Sequence, residues 1–161
     1  MAQVTFATDD FNRANETPLA SPYASVNSTQ NLVSNRVRAS VNDGTQCIMR
    51  YGAFAVADMR ATVTLASIDG NQASAGVRCS SSAVTLYLGF SSSSFVLYKV
   101  VAGGFTLIGG PTGTPAASDT VGCAAVGSDI YVNQNGSIII GPVSDSVIAS
   151  GSWALQLSTV G

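Results

Sequence analysis

Histidine is absent from this 161-residue chain. That removes every Ser–His and Cys–His nucleophile arrangement and the commonest metal ligand. Carboxylate pairs are scarce too. Glu16 is the single glutamate, and among the aspartates only Asp9 and Asp10 are neighbours, pointing to opposite faces of an extended chain. Glycoside hydrolysis needs two carboxyl groups roughly 5 to 10 Å apart across a groove, and no strand-like run supplies them. An enzyme is therefore not expected, and no catalytic, cofactor-binding or metal-ligating residue is assigned.

Charge is equally sparse. Charged residues make up 10% of the chain, against about 25% in an average soluble protein. The seven basic residues, six of them Arg, are scattered, and the net charge is −2. Without a basic patch there is no electrostatic case for nucleic acid. No apolar run approaches the ~20 residues of a membrane-spanning helix. Met1-Ala-Gln-Val-Thr5 lacks a basic leader segment, so synthesis without a signal peptide is expected. Cys47, Cys79 and Cys123 are odd in number, lack a CxxC spacing and each lie in an apolar run, which predicts buried free thiols and a reducing cytoplasm.

What is present is β-structure. Hydrophobic residues reach 46%, in short β-branched and aromatic runs separated by Gly, Asn, Asp and Ser. Met59 to Ser67 alternates, with Met59, Ala61, Val63 and Leu65 inward and Arg60, Thr62 and Thr64 outward. Turns are expected at Ser34-Asn35, Asp69-Gly70, Ser91 to Ser94, Gly103-Gly104 and Asn135-Gly136. Gly110 to Ser118, with Pro111 and Pro115, reads as a long loop, and Glu16 to Tyr23, with Pro18 and Pro22, as an irregular crossing. About a dozen short strands at regular spacing predict one all-β domain over residues 1–161, a two-sheet antiparallel jelly-roll sandwich. The opening strand Val4 to Phe11 is expected in the same sheet as the closing strand Trp153 to Val160, or beside it.

The residue order carries a family resemblance. Asp9-Asp-Phe-Asn-Arg-Ala-Asn15 with Leu19 resembles the opening of concanavalin A-like (laminin-G-like) jelly-roll modules, which are common in bacterial secreted proteins and phage structural proteins. Ala75-Gly-Val-Arg-Cys79, Tyr98 to Gly109, Tyr131-Val-Asn-Gln-Asn-Gly136 and Ser144 to Gly151 are similar to its later landmarks, in order. One departure is the Pro22-Tyr23 pair where those modules carry a Trp. The resemblance implies the fold; the fold itself hosts lectins, hydrolases and structural modules.

Two functions from different classes follow. Low charge, Ser/Thr/Gly/Ala richness and the phage members of the family point first to a virion structural protein. The expected form is a capsid decoration (cement) subunit, trimeric and bound to a major capsid protein or another virion protein, with a tail or fibre component close behind. The alternative is a carbohydrate-binding module holding a glycan, for which Tyr87, Tyr98, Tyr131 and Trp153 are candidate platforms. Asp9, Asp10, Asn12, Asn15 and Asp145 are the oxygen ligands a Ca²⁺ site would draw on. Structural duties are the preferred reading for them: Asp9 or Asp10 fixing a buried Arg13 together with backbone carbonyls, and Asp145 capping the turn before Ile148. The loops Glu16–Tyr23 and Gly110–Ser118 are the first choices for partner contact.

Overall fold

Two-residue turns with positive φ organise the chain. Ser34 and Asn35 (φ 52° and 60°), Ala102 and Gly103 (49° and 82°), and Asn135 and Gly136 (50° and 86°) each place two left-handed residues between paired strands. That geometry matches the right-handed twist of a hairpin. The first and third of these turns fall where the sequence puts them. The second begins one residue earlier than the Gly103-Gly104 expectation, because Val101 pairs with Gly104 and leaves Ala102 in the turn.

The computed structural model describes residues 8–40, 46–67, 72–81, 83–91 and 93–158. Its strands are β1 (Tyr23–Asn27), β2 (Gln30–Val33), β3 (Arg36–Ala39), β4 (Cys47–Val56), β5 (Met59–Thr64), β6 (Gln72–Cys79) and β7 (Leu86–Ser91). They continue as β8 (Phe95–Val101), β9 (Gly104–Thr112), β10 (Thr120–Val126), β11 (Asp129–Gln134), β12 (Ser137–Ser144) and β13 (Gly151–Ser158), with no helix among the described residues. All pairings are antiparallel, in a seven-stranded sheet β1-β4-β13-β6-β7-β8-β9, a four-stranded sheet β12-β11-β10-β5 and the β2-β3 hairpin. The chain is thus an all-β, jelly-roll-like antiparallel sandwich.

The four-stranded sheet packs over β13, β6, β7, β8 and β9. Val77, Tyr87, Phe95 and Leu97 from the large sheet meet Val121, Cys123, Ile130, Val132 and Ile140 from the small one, all buried. The β5 alternation holds: Met59 and Leu65 are buried and Thr62 and Thr64 exposed. Beyond β5 the roof over the large sheet changes to the β2-β3 hairpin, where Leu19 and Leu32 pack on Met49. The fully buried Gln30 fastens that hairpin, its Nε2 donating to the carbonyls of Cys47 and Leu155 (2.8 Å each).

Two expectations change. The Val4–Phe11 strand lies outside the described residues over 4–7, and residues 8–11 carry no strand; β4 and β6, not an opening strand, flank the closing strand β13. Gly110, Pro111 and Thr112 belong to β9, so the loop begins only at Gly113, because pairing with Phe95 extends the strand. The Asp69-Gly70 turn lies outside the described residues, as does Ser92 within the Ser91–Ser94 turn. Cys47, Cys79 and Cys123 are buried thiols outside any disulfide, and burial pushes the Cys79 and Cys123 thiols up to about 12.

A feature with no counterpart in the sequence reading holds one end of the sandwich. Arg78, at the end of β6 and 2% exposed, has no carboxylate partner among the described residues. Its Nε donates to Ala57 O (2.8 Å), one terminal nitrogen to Ile148 O (2.8 Å) and the other to Gly127 O (2.5 Å). The three acceptors belong to the β4–β5, β12–β13 and β10–β11 connections, so one guanidinium ties both sheets together. Its backbone is left-handed (φ 54°), and Gly151 sits so close that a Cβ there would lie 2.4 Å from the Arg78 carbonyl carbon. Replacement by the shorter, apolar Met removes this donor from all three carbonyls. Hydrogen bonds to a charged group contribute about 1.5–3 kcal/mol each, so Arg78→Met is expected to lower unfolding stability by about 3 kcal/mol or more in urea titration, and wild-type stability would contradict the clamp.

Candidate functional site

The strip of the large sheet beyond β5 holds a row of aromatic rings. It arises from register. Tyr51 on β4 pairs with Tyr23 on β1 and with Trp153 on β13, so three rings from residues far apart in sequence lie side by side on one face. Phe11 extends the row from the opening loop. Centroids are 5.9 Å apart for Phe11–Tyr23, 5.2 Å for Tyr23–Tyr51 and 6.3 Å for Tyr51–Trp153, the last two pairs edge to face. All four rings are half-buried. The indole Nε1 of Trp153 donates to Arg60 O (3.0 Å), which anchors the inner end of the row to β5.

A polar cluster sits at the outer end. Asp9 accepts from Arg13 (2.7 Å), from the Tyr23 hydroxyl (3.1 Å) and from the Phe11 amide (2.8 Å). Arg13 also donates to Glu16 (2.7 Å) and lies 5.6 Å from the Phe11 ring centroid. Burial, then the nearby Asp9 charge, pushes the Tyr23 hydroxyl well above its ordinary value, so Tyr23 is a neutral donor. The bond from Arg13 holds Glu16 below the usual carboxylate range. Arg13 therefore pairs with Asp9, as expected, and with Glu16, which was not; Asp10 instead accepts from the Asn12 amide. The guanidinium is no buried ion pair: its side chain stays 32% exposed and no carbonyl partner is found among the described residues. Exposed pairs are screened by solvent and contribute little to stability.

The remaining candidates are dispersed. Asn12 and Asn15 bond the β2-β3 turn, through Asn35 Nδ2 and the Ser34 amide respectively. Asp145 accepts from Tyr87 (2.6 Å), Lys99 (2.6 Å) and the Val147 amide (3.0 Å), capping the turn before Ile148 as expected. Among the described residues no group of three or more His, Cys, Asp and Glu is placed to hold a metal. Tyr87 cannot be a sugar platform, because it is fully buried with its hydroxyl held between Asp145 and the Ile148 amide. Tyr98 is half-buried against Phe105, and Tyr131 half-buried opposite Ala124 on the four-stranded sheet. Only Trp153, of the four platforms expected, lies in the aromatic row. Phe11, Tyr23 and Tyr51 were missed, because strand order rather than any local pattern brings them together.

Comparison with solved structures finds a carbohydrate-binding module, CBM66 from Bacillus subtilis. It matches with a TM-score of 0.69 at 16% identity, over 86% of this chain and 92% of that one. At that identity the likeness is one of fold. No protein-family model and no curated protein sequence matches the chain.

Beside Glu16, two carboxylates of the sandwich set the acid response of this scaffold. Burial raises Asp145, but the bonds from Lys99, Tyr87 and Val147 outweigh it and leave the group below its ordinary value. Asp119 is lowered by bonds from Asn135, the Ala116 amide and Gln134. A group depressed in the folded state contributes stability that is present above the unfolded value, near 3.9 for Asp, and is lost as pH falls through the folded one. The melting temperature should therefore hold from neutrality to about pH 5 and decline below it. Asp145→Asn should start lower and flatten that decline; an unchanged acid limb in both Asp145→Asn and Asp119→Asn would refute the assignment.

Proposed function

We propose that this chain is a non-catalytic carbohydrate-binding module whose sugar lies along Phe11, Tyr23, Tyr51 and Trp153. The observation that carries the reading is the row itself: half-buried rings beside a fixed cluster of carboxylates and a guanidinium. Sugars present apolar C–H faces and polar edges. A site for them combines aromatic surface with a few oriented donors and acceptors. Asp9, Glu16 and Arg13 supply those polar groups, already held in place by one another. The fold it shares with a carbohydrate-binding module supports the same reading. The virion decoration role rests on composition and sequence resemblance, gains nothing from the aromatic row, and stands second.

Trp153 is the single tryptophan of the chain, so binding at the row has a built-in reporter. Titration with neutral and uronic-acid oligosaccharides, followed by tryptophan emission and by calorimetry, should give a saturable change for at least one sugar class. Tyr51→Ala and Arg13→Ala should weaken it at least tenfold, whereas Tyr131→Ala, on the other sheet, should leave it unchanged. Silence of both readouts across all the sugars would reject the proposal.

A further inference from the structure

The flank opposite the aromatic row is formed by two edge strands, β9 of the large sheet and β12 of the small one. They meet where Gly109 leaves room for Ile140: a Cβ on that glycine would lie 2.6 Å from Ile140 Cγ2. An edge strand presents unpaired N–H and C=O groups, and proteins usually blunt such edges with charge, proline or a bulge. On β9 the blunting is confined to one half. Pairing with β8 is irregular between Phe95 and Tyr98, opposite Leu107 to Thr112, and Pro111 lies there. Gly104 to Leu107 pairs in regular register on its β8 side and is exposed along its whole length.

That regular half is also apolar. Phe105 is 38% exposed, Leu107 49% and the neighbouring Val101 43%. Phe105 and Leu107 lie opposite Val100 and Tyr98, on one face of the sheet. No charged residue occurs from Val100 to Ser118, and none occurs in β12. A surface that meets a copy of itself must tolerate its own charge, and this flank has none to repel.

We propose that a second copy of this chain docks here, β9 pairing with β9 in antiparallel register about a twofold axis through Thr106. Antiparallel pairing of one strand with its own copy requires only a twofold operator, and the contact closes after two subunits. Phe105 of each copy then faces Leu107 of the other across the new seam, and the seven-stranded sheets become continuous. The pairing stretch is short, so the contact falls at the small end of specific interfaces, below about 1,200 Å². The dimer is accordingly weak and concentration-dependent. This proposal is independent of glycan binding, since the aromatic row lies on β1, β4 and β13 at the other side of the sheet.

Sedimentation velocity of the whole chain across the micromolar range tests it. Wild type should pass from monomer to dimer, and Leu107→Lys and Phe105→Lys, which set a charge opposite an apolar side chain of the other copy, should each raise the dissociation constant at least tenfold. Val126→Lys, an equally apolar and exposed position on β10 away from the flank (52% exposed), should dimerise like wild type. Amide exchange at residues 104–107 should slow as the dimer forms. A monomer at every concentration, a larger closed oligomer, or a dimer indifferent to both β9 substitutions would overturn the proposal.

Discussion

The Arg78 guanidinium is the interaction on which the arrangement of both sheets depends. A sandwich gains its stability from apolar faces, but such faces slide easily, and something directional must fix one sheet over the other. Here three carbonyls from three connections converge on five fixed N–H donors. The connections concerned join β4 to β5, β10 to β11 and β12 to β13. Setting their ends sets where β5 lies above β13. That in turn decides how much of the large sheet stays outside the small one, and hence where Tyr51 and Trp153 are left half-open.

The two ends of the large sheet are consequently different surfaces. Toward β1 the sheet carries rings and an ion-paired cluster, roofed in part by the opening loop and the β2-β3 hairpin. Toward β9 it carries a bare edge without charge. The sparse charge of the sequence is thus unevenly spent: Arg13 with Asp9 and Glu16 serves the first end, Lys99 with Asp145 holds the turn after β12, and β9 itself has none.

Much of the fold was legible because turn chemistry is local. Ser34-Asn35 and Asn135-Gly136 announce left-handed pairs by residue type alone, and the alternation of Met59 to Leu65 tells which face of β5 is inward. Ala102 defeated the same rule, since an alanine occupies a left-handed position that glycine would ordinarily take. Less of the site was readable. Tyr87 and Trp153 look alike in sequence, each an aromatic in a strand, yet one is sealed in the core and the other stays half-buried in the aromatic row. Only strand order separates them, and β4 finds its places between β1 and β13 through contacts far apart in the chain. Arg78 stood within the Ala75–Cys79 landmark but its clamp left no signal, because a buried cation satisfied by carbonyls has no acidic partner among the described residues to betray it.

The nature of those acceptors has a consequence for where such a molecule can work. Peptide carbonyls neither titrate at moderate acidity nor carry a charge that added ions can mask, whereas a carboxylate does both. The turn from Asp145 to Ile148 is held from one side by each kind: Lys99 and Tyr87 grip its aspartate, and Arg78 grips its last carbonyl. Acid or brine slackens the first hold and leaves the second. The turn then loosens on a tether instead of letting go, and the closing strand that follows it keeps its place at the centre of the sheet.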